Sequence, residues 1–482
     1  MRRLTIKNVG PIKSITIDLK RINVLIGLQS SGKSTINKIA CYCSWVEKEI
    51  FSNQSAENFQ KEGYFENNLV EFHKLEGFLS SKSTIEFETS ILKFTYSKKD
   101  NSFIFNWKTE NHIVGYKRIK TLYIPTERNI VAVIPNWFDI KLDNSNLRSF
   151  LSDWQEARNL YSKTNFSILN LGINYKYNQE LNIDELTLEQ ENKKINFRNA
   201  SSGLHSLVPL YTLIEYSTKG VFENYIKGSV KQSLNKLNSI SQYIDFYRKT
   251  LKKEIENRVN LHSIRDMILN DLNIDGKTMH SELSNELDIL LKQKIEKEVE
   301  KIVTNKELTE EINNKVKDKF IDNVNTLNFN NIDYDNIDYD LLEQIIIPQQ
   351  SNIFLEEPEV NLFPVTQREL VKYLVKSTYH NAEGREHSLF LTTHSPYILT
   401  TLNNLIYAND CANVNKDEVS KILGEEYWVN FNDVGVWFVK DGGIEDILDY
   451  EERQIDAVRI DEVSQLLNNE FDNLLDTQYH EV

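Results

Sequence analysis

Apolar and polar positions at the start of the chain follow the periodicities of strands and helices. Leu4–Val9 and Ser14–Leu19 alternate with period two, which predicts two strands that each bury one face. Ile22–Ile26 is a short, mostly apolar run, as expected of a strand buried on both faces. A glycine-bearing loop then leads into a helical stretch at Ser34–Ala40. This order predicts an α/β fold, a mixed β-sheet flanked by helices.

Later apolar runs predict further strands, each bounded by polar or turn-forming residues. They lie at Ser83–Glu88, Leu92–Tyr96, Thr121–Pro125, Ile353–Glu356, Ser388–Thr393 and Val434–Lys440.

The middle of the chain is poor in residues that end helices. No proline lies between Pro209 and Pro348, and apolar residues recur at a spacing close to four. We therefore expect residues 221–347 to form a helical insertion, either a coiled-coil hairpin or a compact helical subdomain. The insertion divides the α/β part into residues 1–220 and 348–440.

Charge is distributed unevenly along the 482 residues. The formal net charge is −15, which argues against a globally basic nucleic-acid-binding protein. Residues 441–482 hold 13 acidic side chains against two arginines, so most of the acidity belongs to this end. Apolar residues interleave with the acids at roughly helical spacing. The pattern predicts an acidic helical appendage that either docks on a neighbouring subunit or partner, or caps its own head.

Cysteine content and hydropathy indicate the compartment in which the protein is expected. Three cysteines cannot form a disulfide framework in a chain of this size, and Cys41 and Cys43 are predicted to be plain helix residues. The N-terminus lacks the apolar core of a signal peptide, and no apolar run is long enough for a membrane span. We expect a cytoplasmic protein without a membrane partner.

The loop after the third predicted strand fits the P-loop pattern G-x-x-x-x-G-K-[ST]. Its glycines let backbone N–H groups surround a phosphate, and Lys33 would reach the β- and γ-phosphates of ATP. Ser34 would hold Mg²⁺. The predicted nucleotide-binding residues are Gly27, Leu28, Gln29, Ser30, Ser31, Gly32, Lys33, Ser34 and Thr35.

Three further motifs stand where predicted strands end or a helix begins. Glu356 and Glu357 close an apolar strand, and their side chains point opposite ways, so Glu356 is expected to bind Mg²⁺ and Glu357 to polarise the attacking water. His394 follows another apolar strand and would sense the γ-phosphate. Ser201, Ser202 and Gly203 begin a helix; taken singly they are an N-cap, but with the other motifs they predict a signature loop completing a partner's nucleotide site.

The ordered set resembles the ABC-type ATPase heads of the RecF/SMC/OLD superfamily, often called AAA15/AAA21-type ATPases. Residues 4–12 are similar to the first hairpin of RecF and SMC heads, and Glu356–Pro364 looks like the OLD-type Walker B and D-loop, with Asn361 and Leu362 in the D-loop. Tyr123–Arg128 resembles a recurring Y-[IL]-P-x-E-R element, which would place Glu127 and Arg128 near the Q-loop. The resemblance implies a homodimer, or a higher homo-oligomer, with ATP between one P-loop and the other signature loop.

The same resemblance raises the question of a nuclease, because OLD proteins usually carry a Toprim domain after the head. Only 40 residues follow Gly442, and they lack an Asp-x-Asp on an apolar strand, so we expect no nuclease in this chain. The chain is then similar to the ATPase subunits of anti-phage systems such as PARIS and Septu, which act with a Toprim or an HNH nuclease. This predicts an ATP-dependent switch for a separate effector.

Two alternatives remain open. One is a DNA-repair-type ATPase, for which the 18 basic and 23 acidic residues between Val221 and Gln350 give no support. The other is a slow, ATP-dependent structural scaffold.

Overall fold

The computed structural model describes residues 2–109, 116–134, 137, 142–162, 165–224, 348–380, 384–456 and 468–475. The chain divides into two units. The first comprises Met1–Glu49, Ala56–Glu223 and Pro348–Val482, and the second comprises Ile50–Ser55 and Asn224–Ile347. The predicted insertion at 221–347 lies outside the described residues beyond its first four.

The described strands and helices have the following bounds. The strands are β1 (Arg2–Val9), β2 (Ile12–Leu19), β3 (Ile22–Gly27), β4 (Leu79–Glu88), β5 (Leu92–Ser97), β6 (Ser102–Trp107), β7 (Ile119–Ile124), β8 (Phe166–Ser167), β9 (Ile173–Asn178), β10 (Ile183–Leu188), β11 (Lys193–Asn196), β12 (Gln350–Glu356), β13 (Ser388–Thr393), β14 (Val434–Lys440), β15 (Gly443–Asp446), β16 (Leu448–Asp449) and β17 (Gln454–Ile455). The helices are α1 (Lys33–Asn53), α2 (Glu57–Gln60), α3 (Tyr64–His73), α4 (Ile130–Val133), α5 (Asn146–Leu160), α6 (Ser202–Glu215), α7 (Val221–Asn224), α8 (Pro364–Thr378) and α9 (Pro396–Ile422).

The central sheet has the strand order β15-β14-β3-β13-β12-β7, and all its strands are parallel except β15. Every residue of β3 is buried, as the mostly apolar run predicted. Parallel strands covered on both faces read as such runs, because each side chain meets the core whichever way it points. The carboxyl ends of five strands therefore lie at one edge of the sheet.

Two antiparallel sheets belong to the same unit. The sheet β2-β1-β4-β5-β6 buries alternate residues, among them Leu4, Ile6 and Ile85, and thus confirms the period-two pattern. Helix α3 packs on this sheet through aromatic rings, with Phe65 stacked on Tyr96 of β5. The sheet β11-β10-β9-β8 packs with α5 around Trp154, which is fully buried.

The helical boundary predicted at residue 220 falls inside a continuous helix. A π-helical turn at Tyr216–Gly220 joins α6 directly to α7. The nearest division between the two units lies at Glu223 and Asn224 instead.

The predicted helical appendage is wrong for residues 441–456. Asp441 and Gly442 both have positive φ, 55° and 81°, and form a two-residue turn that folds β15 back against β14. Asp-Gly is a preferred pair for such hairpins, since both central positions need left-handed backbone. Ile447 and Ile455 are buried by this arrangement. Within 441–482, the described residues are helical only at 468–475, where Phe471 and Leu474 are exposed.

None of the described helices combines the length and the apolar character that crossing a membrane requires.

Candidate functional site

The P-loop lies between β3 and α1, and its backbone can be built only with glycine at two positions. Gly27 has φ of +154°, and a Cβ there would lie 2.4 Å from the carbonyl oxygen of Val439. Gly32 has φ of +110°, and a Cβ would lie 2.5 Å from Ile12 Cδ1. These close approaches fix the loop against β14 and the β1–β2 turn.

Lys33 is buried at the start of α1 and closes the loop on itself. Its Nζ donates to the carbonyl oxygens of Gly27 at 2.9 Å and Leu28 at 2.8 Å. Burial lowers the pKa of Lys33, while the carboxylates of Glu357 and Glu359 oppose that shift. The ammonium group therefore lies within electrostatic range of two carboxylates in the turn that follows β12.

Glu356 ends β12 inside the core, beside Ser34. Burial raises the pKa of its carboxyl, and the nearby hydroxyl groups of Tyr123 and Ser34 oppose that shift. Its Oε1 and the Oγ of Ser31 are buried without a hydrogen-bond partner. A carboxylate, a hydroxyl and unpartnered oxygens are the donor set that Mg²⁺ takes alongside water and phosphate. The residues therefore fit a magnesium ion.

Glu357 and His394 face each other across the ends of neighbouring strands. Glu357 Oε1 lies 3.6 Å from His394 Nε2, and each side chain is about one third exposed, at 32% and 34%. Glu357 has φ of +41°, which is unusual for a residue with a Cβ. Its N–H donates to the Thr392 carbonyl at 3.0 Å, so the turn is tied to β13.

Glu359 fastens the His394 loop to the Walker B turn, a role the sequence did not indicate. Its Oε1 accepts from Thr393 Oγ1 at 2.8 Å and from the His394 N–H at 2.6 Å. The backbone of His394 is thereby placed by a carboxylate that lies 35 residues away in the sequence.

The predicted signature loop forms the N-terminus of α6. Ser201 is the N-cap, with its hydroxyl accepting from the Leu204 N–H, and both Ser201 and Ser202 are exposed. A Cβ on Gly203 would lie 3.0 Å from the Asn361 carbonyl oxygen. In this chain the loop therefore contacts its own D-loop.

The D-loop is attached to α6 a second time through a side chain. Asn361 has φ of +62°, and its Nδ2 donates to Ser206 Oγ at 3.0 Å. Leu362 is partly buried against the main core, and its N–H donates to the Glu359 carbonyl at 2.9 Å.

Arg128 and Glu127, predicted near the Q-loop, occupy different environments. Glu127 is exposed, and its charge is close enough to raise the pKa of Glu356. Arg128 is fully buried, and its guanidinium donates only to backbone carbonyls, including that of Glu356. Direct contact of Arg128 with a nucleotide is therefore not available, whereas Glu127 remains a candidate.

Sequence reasoning missed Tyr123 and Glu359, and it missed what Arg128 touches. Tyr123 lies on β7, directly beside β12 in the sheet, and its phenol is near enough to Glu356 to lower the pKa of that carboxyl against the effect of burial. Their positions could have indicated them, because each of these residues lies close to a recognised motif, either in the sequence or at the same edge of the sheet.

No protein-family model and no curated protein matches the sequence. Among solved structures, the SMC head domain from Thermotoga maritima is similar with a TM-score of 0.30 and 9% identity, over 83% of this chain and 90% of that chain. The recombination mediator protein RecF with ATPrS, of the RecFOR pathway, has a TM-score of 0.24 and 10% identity, over 92% and 97%. The Smc head domain with a coiled coil and joint from Pyrococcus yayanosii has a TM-score of 0.26 and 10% identity, over 96% and 100%.

The fold class follows from the order of the motifs on the sheet: P-loop after β3, His394 after β13 and Glu356–Glu357 after β12, in three adjacent parallel strands. This is an α/β fold in which a P-loop stands at the carboxyl edge of a mixed sheet flanked by helices, as the sequence predicted.

Proposed function

We propose that this chain binds and hydrolyses ATP. The observation that carries the proposal is the convergence of the P-loop, Glu356, Glu357 and His394 at one edge of a parallel sheet, with Glu357 Oε1 3.6 Å from His394 Nε2. Ligands of open parallel sheets bind outside the carboxyl ends of the strands, where loops and helix N-termini offer donors.

Each residue has a role in this reaction. Backbone N–H groups of the P-loop and the Lys33 ammonium bind the β- and γ-phosphates. Ser34 and Glu356 would hold Mg²⁺, which when bound neutralises phosphate charge. Glu357 accepts a proton from water as the water oxygen attacks the γ-phosphorus. The bond to the β–γ bridging oxygen breaks, giving ADP and phosphate, and His394 orients the water or contacts the γ-phosphate.

Replacing Glu357 by glutamine tests the chemistry. Glu357→Gln should lower the rate of phosphate release by roughly 100-fold or more, because a general base is worth about 10²–10⁴ in rate. ATP affinity should be retained, since Lys33 and the P-loop are unchanged. Glu369→Gln, on the surface of α8, is the matched control and should hydrolyse ATP at the wild-type rate. Wild-type turnover in Glu357→Gln would refute the assignment.

The proposal extends to a head-to-head homodimer with a nucleotide between the subunits. The exposed N-terminus of α6 supports it, because free N–H groups and hydroxyls there are suited to an anion. Large apolar side chains are also exposed in or near the motifs: Leu28 at 66%, Phe363 at 73% and Tyr397 at 52%. A second subunit that closed on the motifs would cover these side chains and bury apolar surface.

Sedimentation tests the dimer. Glu357→Gln with ATP should sediment as a dimer or larger homo-oligomer, and adding Ser202→Arg should return it to monomer by placing a bulky cation at the anion site. A monomer under every nucleotide condition would exclude the head-to-head arrangement.

The finer proposal is a switch that regulates a separate effector, a Toprim or HNH nuclease, in bacterial anti-phage defence. The OLD-type pattern around Glu356–Pro364 supports it. Co-purification with the product of a neighbouring nuclease gene, in an ATP-dependent manner, is the expected result. Strong, salt-sensitive stimulation of ATP hydrolysis by duplex DNA without such a partner would favour the DNA-repair alternative instead.

A further inference from the structure

Arg128 places a buried cation among backbone carbonyls from three parts of the chain. Nη1 donates to the carbonyls of Glu356 at 2.9 Å and Pro125 at 3.3 Å. Nη2 donates to those of Glu357 at 2.8 Å and Pro358 at 3.3 Å. Nε donates to a carbonyl of α6, that of Ser206, at 3.1 Å.

These contacts use the full donor capacity of the side chain. A guanidinium has five N–H groups, and five carbonyls accept from it here. Burial lowers the pKa of Arg128 to about 10, while the carboxylates of Glu359, Glu357 and Glu356 oppose the shift. The group therefore stays charged at neutral pH, and each carbonyl bond is charge-assisted.

Three of the five carbonyls that Arg128 binds belong to a strained turn, those of Glu356, Glu357 and Pro358. Glu357 adopts φ of +41°, and such conformations persist only where surrounding contacts impose them. Arg128 binds the carbonyls of Glu357 and of the residues on both sides of it. The direction in which the Glu357 carboxylate leaves the backbone thus depends on this guanidinium.

The third attachment reaches the signature helix. Ser206 gives its carbonyl to Arg128 and accepts from Asn361 through its hydroxyl. Ser201 and Ser202 begin the same helix one turn earlier. A shift of α6 would consequently move the turn after β12, because the Arg128 side chain binds both.

We propose that Arg128 is a positioning residue, which holds the Glu357 backbone in its strained conformation and transmits the position of α6 to it. The inference rests on the proposed ATPase function. Lysine cannot replace the arginine, because its single nitrogen cannot span carbonyls from three segments, whereas the planar guanidinium can.

The experiment compares Arg128→Lys with Arg158→Lys. Arg158 is equally buried but binds Gln155, Asn182 and Asp184, so it is matched for the loss of a buried arginine. Both variants should lower the melting temperature. Only Arg128→Lys should lower kcat, by at least tenfold, with KM for ATP within threefold of wild type.

A double variant separates positioning from general damage. If Arg128 acts through Glu357, Arg128→Lys should cause less than a twofold further loss in single-turnover rate when Glu357 is already glutamine. An equal loss in both backgrounds, or a wild-type kcat in Arg128→Lys, overturns the inference. Absence of ATP hydrolysis by the wild-type protein overturns the proposed function instead.

Folding failure is also an outcome. Arg128→Gln, which removes the buried charge, replaces Arg128→Lys if the latter does not fold, with the same expected loss of kcat. If neither folds while Arg158→Lys does, Arg128 serves the fold and the positioning role is refuted.

Discussion

Replacing Glu359 by alanine removes the carboxylate that fastens the His394 loop to the Walker B turn. Its Oε1 accepts from Thr393 Oγ1 at 2.8 Å and from the His394 N–H at 2.6 Å. After the substitution both donors lose their partner, and the loop that presents His394 to Glu357 is free to move.

The size of the effect follows from these two bonds. A hydrogen bond to a charged acceptor contributes about 1.5–3 kcal/mol when buried, and less where water can replace the partner. Since the His394 N–H is exposed, we take ~2–3 kcal/mol for the pair together. At about 1.4 kcal/mol per tenfold change in rate, kcat for ATP hydrolysis should fall by roughly 30- to 150-fold. Glu359→Gln keeps an acceptor oxygen without the charge, so its kcat should lie between wild type and Glu359→Ala.

Steady-state phosphate release measures both variants, with Glu369→Ala on α8 as the control for loss of a surface carboxylate. The melting temperature should fall by a few degrees as well, because buried Thr393 loses its hydrogen-bond acceptor. A kcat for Glu359→Ala within threefold of wild type would refute the reasoning, as would a Glu359→Gln variant no better than alanine.

Two further predictions concern the buried histidines and the P-loop. Burial lowers the pKa of His73 to about 3, with Lys38 acting in the same direction, and lowers that of His387 to about 4, with Arg385 and Arg21 adding to it. The stability they contribute is complete above pH ~6.5 and is lost as the pH falls towards 4, by about 1.4 kcal/mol per pH unit for each histidine. The free energy of unfolding, measured with urea between pH 7.5 and 5, should therefore depend less steeply on pH in His387→Gln than in the wild type. An unchanged pH dependence would contradict this. Gly27→Ala puts a methyl group 2.4 Å from the Val439 carbonyl oxygen, so ATP affinity and melting temperature should both fall. Gly77→Ala, which has φ of +75° and open space around its Cβ, carries the same kind of backbone strain without the clash and should keep ATP affinity.

The structure of the C-terminal segment determines where a truncation should be made. Removing residues 441–482 would delete β15, which pairs with β14 at the edge of the central sheet. It would also remove Arg453, which donates to Asp410 of α9 at 2.7 Å. A truncation after Asp456 leaves these contacts in place and tests the remaining acidic residues as a docking segment.

The sequence by itself determined the elements whose signals are local. Short, mostly apolar runs predicted β3, β12 and β13, since a strand buried on both faces has no polar side to alternate with. The P-loop was readable because backbone shape at Gly27 and Gly32 admits no side chain, and that requirement leaves glycine in the sequence. Residues 441–456 form strands and turns although their apolar residues recur at roughly helical spacing, because the Asp-Gly pair at 441–442 favours a hairpin turn.

The tertiary structure decided what the motifs touch. Arg128 stands 228 and 78 residues from Glu356 and Ser206, and Glu359 stands 35 from His394. No periodicity or spacing encodes such pairs, because parallel strands bring distant segments to one edge only after the whole sheet has formed. Local sequence therefore specified which groups are available for chemistry, whereas the packing of β7, β12, β13 and α6 specified which of them hold one another in place.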